Sequence, residues 1–111
     1  MAEFVRLSVN DAANLMRERE VLVLDIRDAD SYAAGHIQGA HLLNPEIAAH
    51  ISNNADLESP IVVCCYHGNS SQQAAAWFAE EGFEEVYSLN GGYEEWATSG
   101  HDAAGRLPVP D

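Results

Sequence analysis

The sequence predicts a single α/β domain, an open and mostly parallel sheet with helices on both faces. Three observations carry that reading. The runs 21–26, apolar but for Asp25, and 61–65 are rich in Val, Leu and Ile, the pattern of short strands buried on both faces. Helix-start signals fall between successive apolar runs, so strands and helices alternate along the chain. The length, 111 residues, is enough for one core and too short for two.

Each element has its own local cause. Residues 4–7 form a short first strand, and Ser8 with Asp11 three positions on makes a capping pattern that opens a helix to about Arg19. The strand 21–26 follows. From Asp28 the chain reads as one or two helical turns, ended at Gly35 by a left-handed cap. Residues 41–43 form the next strand. Asn44 and Pro45 supply an N-cap and a first-turn proline for a helix to about Ile51, with 52–60 as a polar loop. Strand 61–65 leads through a short loop into a helix that starts at Ser70 or Ser71 and stops at Gly82. Strand 85–89, a turn at Asn90, Gly91 and Gly92, and a helix from Tyr93 to about Ser99 complete the domain. Residues 101–111 read as a loose tail of the same domain. Trp77, Phe78, Tyr93 and Trp96, at helical spacing, are expected in the core.

Composition narrows the function. Hydrophobic residues make up 47% of the chain, enough for a packed core. Eighteen acidic residues stand against five arginines and no lysine, a net charge of −13, so nucleic acid and anionic membranes are poor partners. The first ten residues lack the basic start and apolar run of a secretory signal, and no apolar run is long enough to cross a bilayer. A soluble, cytoplasmic protein is expected. The two cysteines, Cys64 and Cys65, are adjacent, about 3.8 Å apart at Cα, which is too close for an unstrained bridge. Without a CxxC or paired-histidine motif they also make a poor zinc site, so no metal is expected.

Chemistry is expected at Cys65, Tyr66, His67, Gly68, Asn69, Ser70 and Ser71. The segment joins a buried strand to a helix in few residues. Successive N–H groups of such a turn converge on one point, and the helix N-terminus adds partial positive charge. A cysteine there is held as thiolate, the nucleophilic form. Gly68 suits a positive φ, and Asn69, Ser70 and Ser71 offer donors to a bound oxyanion or to the sulfur. Cys64 points the other way along the strand and packs. His67 is expected to matter through its backbone N–H, and His36 to bind local backbone. Asp25 and Arg27 are expected as a structural ion pair anchoring neighbouring loops. A cysteine phosphatase would need an arginine about six residues after its nucleophile, where this chain has Ser71 or, counted from Cys64, Ser70.

Three segments resemble signatures of the rhodanese family. Asp25, Ile26, Arg27 and Asp28 through Tyr32, with Gly35, His36, Ile37, Gly39 and Ala40, resemble the first signature. Cys65 to Ser70 resembles the six-residue active-site loop, and Gly91, Gly92, Tyr93, Glu94, Glu95 and Trp96 resemble the C-terminal signature. The loop text and the short length look most like the single-domain thiosulfate sulfurtransferases. That resemblance implies a rhodanese-like fold and a Cys65 persulfide formed from thiosulfate with release of sulfite, without a cofactor. The acceptor it implies is cyanide, a dithiol or a thioredoxin-like protein. The larger tandem enzymes of the family carry basic side chains where this chain has Tyr66 and His67, so weak saturation by thiosulfate is expected. The alternative is a sulfur relay that passes persulfide sulfur between protein partners.

Overall fold

The structure, a computed structural model, describes residues 3–100 and the backbone of 103–104. Five strands form the main sheet: β1 (Val5–Leu7), β2 (Leu22–Asp25), β4 (His41–Leu42), β5 (Ile61–Cys64) and β6 (Val86–Leu89). Their order is β1-β6-β5-β2-β4, and every pairing is parallel. The helices are α1 (Val9–Glu18), α2 (Ala29–Ala34), α3 (Pro45–Asn54), α4 (Ser70–Glu80) and α5 (Gly92–Thr98). The expected α/β class, sheet and layers are all present.

Period-two alternation in the central strands builds two cores. Val23 of β2, and Val62 and Cys64 of β5, face Val9, Ala12 and Ala13 of α1 and Trp96 of α5. Leu24 of β2, and Ile61 and Val63 of β5, face Ile51 of α3 and Ala75, Phe78 and Ala79 of α4. Apolar residues on both faces were therefore required, because Val23, Leu24 and residues 61–64 each meet one core or the other.

The helix starts follow the expected chemistry. Ser8 accepts from the Asp11 N–H, Asp28 from Ser31 and Asn44 from Ile47, with Pro45 in the first turn of α3. Four details differ from expectation. Helix α3 continues to Asn54, so 52–54 are helical; Asn54 Nδ2 donates back to the His50 carbonyl, and Ser52 Oγ to Glu81. Gly35 has φ 166°, which is extended and not left-handed; its lack of a Cβ serves a close approach, since a Cβ would sit 2.8 Å from the Tyr93 hydroxyl. Trp77 lies on the outer side of α4 at 40% exposure, one residue off the buried stripe of Ala75, Phe78 and Ala79, and meets Phe78 edge-on. Phe78 and Trp96 are buried as expected, and Tyr93 packs at the core margin. The fourth is a small antiparallel pair, β3 (His36–Ile37) with β7 (Ala103–Ala104). That pair takes two residues of the stretch expected as a loose tail; the rest of 101–111 lies outside the described residues.

Candidate active site

Cys65 follows the last residue of β5 at the carboxyl edge of the sheet. Because Cys64 faces α1 and α5, Cys65 faces the other layer, where α4 begins. The chain reaches α4 by a turn through Gly68, whose φ of +93° lies in the region that favours glycine. The turn also backs onto the β6–α5 connection, where a Cβ on Gly68 would lie 2.8 Å from the Gly91 nitrogen.

The turn directs donors at the sulfur. Cys65 Sγ accepts from the Gly68 N–H at 3.1 Å and the Ser71 N–H at 3.2 Å, and lies 3.3 Å from Ser71 Oγ. The Asn69 side chain makes no capping bond to α4, so the sulfur itself takes up an N–H of the first turn. Ser71 Oγ is in turn 2.8 Å from Ser88 Oγ on β6, and both serines are fully buried. Burial raises the Cys65 pKa, but the Ser71 hydroxyl, then the Ser71, Gly68 and His67 N–H groups, outweigh it, and the net shift is downward. Cys64 moves the opposite way: burial, then the Asp25 carboxylate, push its pKa far up. The two neighbouring thiols are thus shifted in opposite directions because their side chains face opposite layers.

A backbone clamp holds the loop from the far side. The Tyr93 N–H donates to the Cys65 carbonyl at 2.7 Å, and the Glu94 N–H to the Tyr66 carbonyl at 3.1 Å. Gly92 permits this approach, since a Cβ there would lie 2.5 Å from the carbonyl oxygens of Cys65 and Tyr66. Beneath the loop, Arg27 Nε and Nη2 grip both oxygens of Asp25, and Nη2 also donates to the Gly35 carbonyl at 2.7 Å. The guanidinium stacks 4.1 Å over the Tyr93 ring. Asp25 and Arg27 therefore form the expected anchor, and His36 Nδ1 meets the Tyr32 carbonyl at 2.7 Å.

Two loop side chains reach carboxylates at the rim. The Tyr66 hydroxyl donates to Asp28 and lies 2.9 Å from Ser31 Oγ. Those bonds, from Tyr66 first and then Ser31, hold Asp28 well below the usual carboxylate range. His67 is exposed and its Nδ1 lies 2.8 Å from Glu94 Oε1. Asn69 and Ser70 are exposed at the mouth, and of the three expected donors Ser71 is the one at the sulfur. Sequence reasoning missed Ser88 and the α5 clamp. A lone serine in the apolar strand 86–89 was the available signal for Ser88; nothing local signals the clamp.

This fold and site define an α/β protein in which one of two adjacent cysteines, Cys65, takes hydrogen bonds from a strand-turn-helix whose loop holds no arginine. The Rhodanese-like domain profile matches residues 8–99, and the chain belongs to the rhodanese family as a rhodanese-type enzyme. It is 52% identical over 100 residues, 89% of this chain and 90% of the relative, to a Pseudomonas fluorescens protein named thiosulfate sulfurtransferase GlpE. A Shewanella oneidensis protein of the same name is 48% identical over 96 residues, covering 86% of this chain and 95% of that one. Among solved structures, the rhodanese-like domain of an Anabaena protein superimposes with a TM-score of 0.79 at 25% identity, covering 96% of this chain and 83% of the other. A rhodanese-related protein of Thermoplasma volcanium shares the fold with a TM-score of 0.77 at 19% identity, over 93% of this chain and all of that one.

Proposed function

We propose that the protein is a cytoplasmic thiosulfate sulfurtransferase that carries sulfur on Cys65. The Cys65 thiolate attacks the outer sulfur of thiosulfate. A Cys65–sulfur bond forms, the sulfur–sulfur bond of thiosulfate breaks, and sulfite leaves with the electron pair. The persulfide is then attacked at its outer sulfur by cyanide, giving thiocyanate, or by a thiol or dithiol, giving an acceptor persulfide. Either attack returns the electron pair to Cys65. The persulfide is itself the carrier, so the cycle needs no cofactor.

The observation that carries this reading is the hydrogen bonding at Cys65 Sγ, two backbone N–H groups and a hydroxyl on one sulfur at the carboxyl edge of the sheet. The same donors suit both the thiolate that leaves in the second step and the anionic persulfide formed in the first. The substrate is carried over from the relatives named thiosulfate sulfurtransferase. Tyr66, His67, Asn69 and Ser70 form the wall of the entrance. With no lysine in the chain and no arginine in the loop, backbone N–H groups and hydroxyls supply most of the donors to thiosulfate, so saturation by thiosulfate is weak.

The test is intact mass after incubation with thiosulfate, followed by cyanide and an assay for thiocyanate. Wild type and Cys64→Ser gain one sulfur, about 32 Da, and yield thiocyanate in stoichiometric amount; Cys65→Ser does neither. Equal loss in both variants would remove Cys65 as the nucleophile. No gain in any of them would remove thiosulfate as the donor.

A further inference from the structure

Beside the cysteine loop lies a second feature that the transfer chemistry does not use. A groove of ≈ 240 Å³ runs between the start of α3 and the first turns of α4, lined by Leu43, Pro45, Ala48, Ala74 and Trp77 among others. Trp77 forms one wall at 40% exposure, a large aromatic surface left in water on a chain with charge −13.

Two independent placements join the groove to the reaction centre. Ser70, Ala74 and Trp77 share one stripe of α4 at helical spacing, and Ser70 is exposed at the mouth beside Ser71, whose N–H meets the sulfur. At 1.5 Å rise per residue, Trp77 lies about 9 Å along the axis from Ser71. The opposite wall starts at Leu43, whose N–H bonds the Asp25 carbonyl, so it too sits at the carboxyl edge of the sheet. A protein interface covers about 800 Å² per partner, a patch of roughly 16 Å radius. An interface of that size centred on the cysteine loop is large enough to reach this groove.

The rim has a definite charge. Asp28 is tied to Tyr66 and Glu94 to His67, placing a carboxylate at both flanks of the cysteine loop with no lysine anywhere in the chain. Complementarity calls for a partner with basic side chains around its thiol and an apolar one about 9 Å from it.

We propose that the groove is the docking subsite of a protein thiol that accepts sulfur from Cys65, holding an apolar side chain of that partner while Asp28 and Glu94 meet its basic rim. This rests on the persulfide reading above. The partner thiolate attacks the outer sulfur of the Cys65 persulfide, a bond forms between the two, and the electron pair returns to Cys65 Sγ. An exposed aromatic next to a reactive centre is the kind of residue that dominates interface energetics.

The test uses two peptide thiols, CRSRL and CRSRS, as acceptors on wild-type protein already loaded with one sulfur. Extended, the four-residue step from cysteine to leucine spans about 13 Å, enough to place the leucine in the groove. CRSRL is expected to take sulfur about tenfold faster than CRSRS, the effect of burying one leucine. Trp77→Ala, and separately Ala48→Gln, which fills the groove from the other wall, should cut that preference below about twofold by removing the same buried contact. Both variants should keep the wild-type rate with cyanide. Equal rates for the two peptides on wild type, or a preference that survives both variants, would overturn the docking proposal. A protein that yields no thiocyanate from cyanide would instead remove the persulfide reading, and this inference with it.

Discussion

Replacing Ser71 by Ala isolates the side-chain part of the thiolate's stabilisation. The substitution removes the hydroxyl 3.3 Å from Cys65 Sγ and leaves the Ser71 and Gly68 N–H groups in place. A hydrogen bond to a charged group contributes about 1.5–3 kcal/mol, and one pKa unit corresponds to about 1.4 kcal/mol. The Cys65 pKa is therefore expected to rise, moving back toward an ordinary thiol. Below the pKa the thiolate fraction falls about 10- to 100-fold. The more basic sulfur is intrinsically more nucleophilic, with a Brønsted slope of about 0.4–0.5, which returns about 3- to 10-fold. The net fall in alkylation rate by iodoacetamide at mildly acidic pH is thus about 3- to 10-fold, while at high pH the variant reacts faster than wild type. That crossing of the two pH profiles is the signature, because a merely misfolded variant would be slower or faster at every pH. Profiles with the same midpoint would refute the assignment of the Ser71 hydroxyl to the thiolate. The variant should also lose about 1–3 kcal/mol of stability, because Ser88 Oγ is left buried without its partner.

Two further outcomes follow from groups around the loop. Arg27→Met strands the buried Asp25 carboxylate and should cost about 3–5 kcal/mol in urea unfolding, much of it restored by adding Asp25→Asn; a loss under about 1 kcal/mol would contradict the anchoring role. Tyr66→Phe removes the main cause of the lowered Asp28 pKa, so NMR titration should find the Asp28 midpoint raised toward ordinary carboxylates. The sign for stability follows. A lowered folded pKa stabilises above the unfolded carboxylate value and loses that contribution as pH falls through the folded one, so Tyr66→Phe should lose it at a higher pH than wild type. An unchanged Asp28 midpoint would refute the Tyr66 contact.

The sequence by itself determined the fold class and the segment proposed as the site. The apolar runs 21–24 and 61–65 have no solvated face, so they force strands covered on both sides, and parallel pairing through helices follows. Side chains alternate along a strand, so it was already legible that Cys64 and Cys65 face opposite layers. The capping residues Ser8, Asp28 and Asn44 act within three positions of themselves and were equally readable. Tertiary structure alone decided what depends on contacts between distant segments. Ser88 reaches Ser71 only because β6 pairs beside β5, and the α5 N–H groups meet the Cys65 and Tyr66 carbonyls only because Gly68 and Gly92 let two backbones touch. Gly35 is required by the Tyr93 hydroxyl rather than by a helix cap. Trp77 is exposed because the sheet covers the neighbouring stripe of α4, Ala75, Phe78 and Ala79. Helical spacing says which residues share a face; packing against the sheet decides which face is covered.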